Sequence, residues 1–168
     1  FDVSKGTVVG ALATSWGVGA DGLTWKFQID PTATFADGTP IGAAEVKQSI
    51  ERVASRGEQA LSGVRLALIV GYAEFAKGDS SAITGLVVEG ATLEVRLRSS
   101  YAVLPELFAD PVFGVVKPSD ASATAFASSP VGSGSFALAS RTATKLTLVK
   151  APKSHALLAG VDVTIYPD

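Results

Sequence analysis

The chain has 168 residues, of which 47% are hydrophobic and 18% are charged, and its formal net charge is −2. This composition excludes an intrinsically disordered chain, and the small net charge argues against a nucleic-acid-binding surface, which is usually basic. The absence of Cys excludes a disulfide scaffold, a zinc–thiolate site and a cysteine nucleophile. No run of about 18 apolar residues is present, so no transmembrane helix is predicted. Because the chain also lacks Met, we expect it to be a processed protein or a piece of one, with Phe1 not its native start.

The first predicted element is a half-buried strand at Leu23–Ile29, entered from a turn at Asp21-Gly22. Its apolar and polar residues alternate, which is the period of a strand with one face in the core. Asp37-Gly38-Thr39-Pro40 predicts a second turn, because Gly permits a positive φ and Pro fixes the exit direction. We therefore expect Asp37 to stabilise the turn and not to contact a ligand. In the same way, we expect Trp25 and Trp16 to pack in the core and not to contact a ligand.

A helix is predicted next, because four apolar residues recur at spacings of three and four. They are Ala43, Val46, Ile50 and Val53. Gly42 is the predicted N-cap. Glu45 lies in the first turn, where its carboxylate is stabilised by the positive end of the helix dipole. The helix is predicted to end by Gly57. A second helical pattern extends from Leu61 to Phe75, although two glycines within it disfavour one continuous helix.

The second half of the chain is predicted to be mainly strands. The predicted strands are Ile83–Val88, Thr92–Leu97, Val112–Val116, Phe136–Ala139, Lys145–Val149 and Val161–Tyr166. A turn at Glu89-Gly90 joins the first two of them, and a short helix is predicted at Tyr101–Ala109. Residues 119–129 are rich in Ala and Ser and are predicted to be irregular or weakly helical. The fold class predicted from the residues is therefore mixed α and β with mostly antiparallel strands.

Several short motifs occur in a fixed order along the chain. They are Leu12-Ala13-Thr14-Ser15-Trp16, Asp21-Gly22-Leu23-Thr24-Trp25-Lys26-Phe27, Phe35-Ala36-Asp37-Gly38-Thr39-Pro40, Ala43-Ala44-Glu45-Val46, Ala91-Thr92-Leu93-Glu94-Val95-Arg96-Leu97 and Pro130-Val131-Gly132-Ser133-Gly134-Ser135-Phe136. Together they resemble the extracellular solute-binding proteins of family 5, the peptide/nickel-type receptors of ABC importers. The chain departs from the pattern at Gly42, where the family has Thr, and at Ser135 and Phe136, where it has Pro and Tyr.

The resemblance implies an α+β fold of the periplasmic-binding-protein type II class, of which this chain would supply part of the N-terminal lobe. Residues 1–118 would form the extra domain of that lobe, residues 119–129 a connector, and residues 130–168 strands that return to the first main lobe. The family clasps its ligand between two lobes joined by a hinge. Family members are much longer than this chain, so most of the ligand clamp is expected to be absent.

Three residues are the candidates for ligand contact. Arg65 interrupts an apolar stretch next to Gly63, in a segment that approaches the cleft in the resembling receptors, so it could bind an anionic group; the alternative is a surface Arg on a helix. Tyr72 follows in the same segment. Ser133 lies in the Gly132–Ser135 turn, which is not a phosphate-binding loop because it lacks the Lys-Ser/Thr pair and precedes a predicted strand.

The function implied by the resemblance is non-enzymatic binding of peptides or similar small solutes for import. The expected partners are the solute and an ABC permease in the membrane, with no nucleic acid, no cofactor and no metal, and the protein is expected to be a monomer. We expect a periplasmic or extracellular protein, held to the membrane by a lipoprotein anchor outside this chain. One alternative is an interaction or adaptor domain that binds no solute. The other is a hydrolase that uses scattered carboxylates or a serine with His155, the only His, although no nucleophile elbow accompanies it.

Overall fold

Two antiparallel sheets organise the chain in the computed structural model, which describes residues 4, 6–55, 65–118, 129–152, 154 and 156–166. The elements in chain order are β1 (Ala13–Val18), β2 (Thr24–Ile29), α1 (Ala43–Ala54), α2 (Tyr72–Lys77), β3 (Leu86–Glu89), β4 (Thr92–Arg96), α3 (Leu104–Phe108), a 3-10 turn (Pro111–Phe113), β5 (Phe136–Arg141), β6 (Lys145–Lys150) and β7 (Gly160–Thr164). The predicted mixture of helices and antiparallel strands is confirmed. Among the described residues, no helix is both long and apolar enough to cross a membrane.

The first sheet has the strand order β1-β2-β4-β3, and it carries the main core. The predicted alternation of β2 is confirmed, since Trp25, Phe27 and Ile29 are buried while the residues between them are exposed. In the register of β2 and β4, Phe27 is opposite Leu93, and both side chains face the core. The apolar side of this sheet is covered in part by α1, which lies between β2 and β3 in the chain and packs against β3 and β4.

Helix α1 provides much of that cover, and its sequence explains where it begins. The Glu45 carboxylate accepts a hydrogen bond from the Gly42 amide at 2.8 Å, which satisfies one of the amides at the start of the helix. Ile50 and Val53 are 2% exposed, as the stripe of apolar residues predicts. The helix ends at Ala54, before the predicted limit.

The second helical pattern is interrupted at Gly71. This residue has φ +80°, which an L side chain rarely adopts, and a Cβ at its position would collide with Thr84. The helical pattern therefore resumes only as the short helix α2, Tyr72–Lys77. The first part of the pattern, residues 61–64, lies outside the described residues.

The predicted strand at Val112–Val116 is wrong. The Asp110 carboxylate accepts a hydrogen bond from the Val112 amide at 3.0 Å and caps a 3-10 turn at Pro111–Phe113. Pro111 favours this turn because its ring fixes φ and it has no amide hydrogen to donate to a sheet. Within the predicted strand, Val116 alone forms a β-bridge, which pairs it with Gly132.

The second sheet has the strand order β5-β6-β7, and it confirms the last three predicted strands. Leu138, Leu148 and Val161 are aligned across it and share one face, and the Leu146–Val163 pair lies on the same face two residues along. The opposite face carries the exposed Val149 and the ion pair between Lys145 and Asp162, whose atoms are 2.9 Å apart. Residues 119–128 of the predicted connector lie outside the described part of the chain.

Candidate functional site

The two sheets are joined where residues 115–117 run beside residues 131–133, and we call these two segments the seam. Val116 and Gly132 form an antiparallel bridge, and the Lys117 amide donates to the Val131 carbonyl at 3.4 Å. The Ser133 hydroxyl donates to the Val115 carbonyl at 3.3 Å. These bonds place the Gly132–Ser135 turn directly beside the segment that ends the first sheet's part of the chain.

The loop after β2 packs against the seam. The Ala36 amide donates to the Gly132 carbonyl at 3.0 Å. Beneath this bond lies a small core separate from the main one, formed by Phe35, Ile41 and Val115. Since Val46 of α1 packs against both cores, the loop, the seam and the helix form one packed unit.

Asp37 lies in the predicted turn and forms an ion pair with Lys117 of the seam. Its carboxylate is 2.5 Å from the Lys117 ammonium and also accepts the amide and hydroxyl hydrogens of Thr39. The hydrogen bond from Lys117, followed by those from Thr39, lowers the pKa of Asp37 well below its ordinary value. This carboxylate is therefore ionised at neutral pH and is engaged by the protein, which agrees with the prediction that it serves the turn.

A cavity of about 860 Å³ lies between the loop after β2, the Gly132–Ser135 turn and the segment that follows β6. Its described polar groups include the hydroxyls of Ser133, Ser135 and Ser154, and no Lys or Arg lines it in the described part of the chain. On the loop side, the Asp30 carboxylate accepts the amide and the hydroxyl of Thr32 at 2.8 and 2.7 Å, and these bonds lower the pKa of Asp30. The described lining of this cavity offers hydroxyl, backbone and carboxylate groups that can form hydrogen bonds to a ligand.

A second cavity, of about 350 Å³, lies on the main core side and is almost entirely apolar. Its aromatic lining includes Trp16, Phe27, Phe108 and Phe113, and the rings of the last three meet edge to face with centroids 5.5 Å apart. Trp16, predicted to be in the core, is partly buried and packs against it. Ser133 borders both cavities.

The structure places the three candidate residues in different environments. Ser133 lines the larger cavity at the seam, in a turn that precedes a strand, as predicted. Tyr72 is 2% exposed and belongs to the main core, and Arg65 is exposed at the edge of a described range. Neither of them is among the residues that line the two cavities. His155, named for the hydrolase alternative, lies outside the described residues.

Sequence reasoning missed the loop side of the cavity. Asp30 and Thr32 follow β2 directly and belong to a short turn held by the carboxylate. Their only sequence signal is an Asp two residues before a Thr, which is common in turns of every kind. In the described part of the chain, no group of three or more His, Cys, Asp or Glu residues is placed to hold a metal ion.

The family of the chain follows from a comparison with protein-family models. Residues 7–168 match the model of the bacterial extracellular solute-binding proteins, family 5 Middle. The chain belongs to this family. The resemblance drawn from the ordered motifs is thereby confirmed, and the match includes the seam and both sheets.

Individual proteins resemble the chain over a limited part of their own length. The probable D,D-dipeptide-binding periplasmic protein DdpA of Escherichia coli K12 is 44% identical over 59 residues, which are 34% of this chain and 11% of that protein. The murein tripeptide binding protein MppA of Escherichia coli superposes with a TM-score of 0.83 at 24% identity, covering 96% of this chain and 34% of MppA. Listeria monocytogenes OppA bound to peptide superposes with a TM-score of 0.82 at 22% identity, covering 96% of this chain and 35% of OppA.

These superpositions confirm the predicted periplasmic-binding-protein fold class. The chain spans about a third of the length of these solved structures. It therefore superposes on one part of each of these structures, and the seam lies within that part.

Proposed function

We propose that this chain is part of a receptor that binds peptides or similar small solutes and delivers them to an ABC importer. The observation that carries the proposal is the match of residues 7–168 to the family 5 solute-binding proteins. The cavity of about 860 Å³ at the seam, which is rimmed by hydroxyl and backbone groups, is consistent with it. A peptide presents amides, carbonyls and a terminal amine, and groups of the kind found here can pair with each of them. The proposed function is binding without a chemical step.

The proposed mechanism is closure of two lobes around the ligand. The domain assignment that supports it takes residues 1–118 as the extra domain, residues 119–129 as the connector and residues 130–168 as strands of the first main lobe. The seam cavity would then be one wall of the ligand site. Ligand would stabilise the closed receptor because it contacts both walls only in that state.

The proposed compartment and partners follow from the same receptor. We place it outside the cytoplasmic membrane as a monomer, held there by a lipoprotein anchor, with an ABC permease as its membrane partner. Three similar proteins support a peptide as the ligand class. DdpA is named for D,D-dipeptides, MppA is named for a murein tripeptide, and the Listeria monocytogenes OppA structure is bound to peptide. Arg65 and Tyr72 remain candidates for ligand contact, and Ser133 is the candidate that the cavity favours.

The proposal is tested by isothermal titration of the whole receptor and of the 168-residue chain against a dipeptide, a D,D-dipeptide and a tripeptide. We expect the receptor to bind at least one of these probes and the chain alone to bind it far more weakly, because one wall of the site is missing. Failure of the receptor to bind any peptide would contradict the proposed function. Micromolar binding by the chain alone would instead contradict the domain assignment.

A substitution at the seam tests the location of the site. Ser133→Leu would place an aliphatic side chain against the larger cavity, and we expect it to weaken peptide binding by the receptor at least tenfold. Ser140→Leu is the matched control, because Ser140 is exposed in β5 and lies outside the residues that line either cavity. Equal affinities for the two variants would place the ligand elsewhere.

A further inference from the structure

We propose that Ser49, in the interior of α1, is the positioning residue that holds the seam and thereby sets the place of the Gly132–Ser135 turn at the ligand cavity. The part of this inference that concerns ligand binding rests on the proposed function. The part that concerns the seam rests on the geometry alone.

Ser49 is a polar residue at a position where an apolar one would be expected. It is 2% exposed, beside Ile50 on the buried side of α1. A buried hydroxyl without a partner is costly, so its presence in a helix interior calls for a specific hydrogen bond. That bond is long-range in sequence: the Val116 amide, 67 residues away, donates to the Ser49 hydroxyl oxygen at 3.2 Å.

The same hydroxyl also reaches the carbonyl of Val116. Its oxygen lies 3.5 Å from that carbonyl oxygen, which is at the long limit for a hydrogen bond donated by Ser49. Val116 pairs on its other side with Gly132. The serine hydroxyl therefore occupies the side of Val116 on which a neighbouring strand would otherwise form hydrogen bonds to its amide and carbonyl.

A continuous set of contacts connects Ser49 to the cavity. Val116 bridges to Gly132, whose carbonyl accepts the amide of Ala36 at 3.0 Å. The next residue, Ser133, is bonded through its side chain to the carbonyl of Val115. Ala36 and Ser133 both line the larger cavity. Loss of the Ser49 hydroxyl should therefore loosen the two sides of that cavity relative to each other.

The test is Ser49→Ala, measured by amide hydrogen exchange on the 168-residue chain without ligand. Ala is a better helix former than Ser, so α1 should remain folded. We expect exchange at the Val116 and Ala36 amides to rise at least tenfold, with exchange at β2 amides such as Phe27 unchanged. Unchanged exchange at Val116 and Ala36 would overturn the proposal, and an equal rise at Phe27 would do the same, since it would show a global effect.

Two further variants separate the hydroxyl from the rest of the side chain. Ser55→Ala removes the exposed hydroxyl at the end of the same helix, which donates to the Arg52 carbonyl at 2.8 Å, and it should leave the seam amides unchanged. Ser49→Thr keeps a hydroxyl at the buried position and should restore most of the protection lost in Ser49→Ala. Faster exchange in Ser55→Ala, or no recovery in Ser49→Thr, would count against a specific role for the Ser49 hydroxyl.

The role in ligand binding is tested on the whole receptor with the peptide that the wild type binds. We expect Ser49→Ala to weaken binding about fivefold or more at a temperature where both proteins are fully folded. Faster seam exchange with unchanged peptide affinity would overturn the positioning role. If the wild-type receptor binds no peptide, the proposed function fails, whereas the exchange experiment still decides whether Ser49 holds the seam.

Discussion

In the four-stranded sheet, Leu93 and Val95 are 1% and 0% exposed, whereas Leu138 and Leu148 in the three-stranded sheet remain partly exposed. Both sheets are antiparallel, and both present an apolar face. They differ in what covers that face. Helix α1 contacts β3 and β4 of the first sheet, whereas no residue of β5, β6 or β7 is fully buried in the described structure.

The comparison shows that a sheet can have an apolar face without that face being buried. Alternation along a strand is encoded locally, but burial requires a second layer of structure. The larger cavity at the seam lies between a fully packed region and an incompletely covered one. We therefore expect equivalent substitutions in the two sheets to have unequal effects on the free energy of unfolding.

The largest difference is expected for leucines in the two central strands. Leu93→Ala should destabilise the chain by about 2–5 kcal/mol, because the surrounding core cannot collapse into the space left. Leu148→Ala should cost about 1 kcal/mol or less, because its side chain already contacts solvent. Urea denaturation of the two variants measures both values. Equal destabilisation would show that the second sheet is as tightly packed as the first.

Two glycines that lie close to backbone atoms form a second matched pair. A Cβ on Gly85 would lie 2.6 Å from the Val70 carbonyl oxygen and 2.9 Å from that of Arg96, and a Cβ on Gly160 would lie 2.6 Å from the Leu148 carbonyl oxygen. Gly85 is buried, whereas Gly160 begins the exposed edge strand β7, which has no neighbouring strand on its outer side to resist displacement. We expect Gly85→Ala to cost about 2–3 kcal/mol and Gly160→Ala about 1 kcal/mol or less in urea denaturation. The reverse order would show that the edge strand is the more rigid of the two.

The smallest effect is expected at the ion pair between Asp37 and Lys117, which links the loop after β2 to the seam. The pKa of Asp37 in the folded chain is held below its ordinary value of 3.8, chiefly by the hydrogen bond from Lys117. The stabilisation is therefore fully present above this ordinary value and is lost as the pH falls toward the folded pKa. Because both side chains are partly exposed, the effect should also weaken with added salt.

Urea midpoints of the wild type and Asp37→Asn measure this contribution between pH 7 and pH 3. We expect the wild type to be slightly more stable at pH 7 and the difference to shrink below pH 4. Other carboxylates with lowered pKa values, such as Glu94, are present in both proteins and cancel in the comparison. A difference that stays constant over this range would show that the ion pair does not stabilise the folded chain.

The candidate site was predictable from the sequence only in part. Ser133 could be found because the Gly132–Ser135 turn belongs to an ordered set of motifs, and the structure places it at the larger cavity. Asp30 and Thr32 could not be found, because their turn has no distinctive pattern. Ser49 could not be found either, because its partner, Val116, is 67 residues away. No local signal connects two groups at that separation.

The sequence by itself determined the elements that depend on neighbouring residues. The strand β2, the helix α1 and the turn at Asp37 follow from alternation, helical spacing and turn chemistry, each of which acts over a few residues. Only the tertiary structure decided that one sheet is buried and the other partly exposed, and that Ser49 meets the seam. These outcomes depend on contacts between distant segments, because packing and hydrogen-bond satisfaction are settled only when the chain has folded.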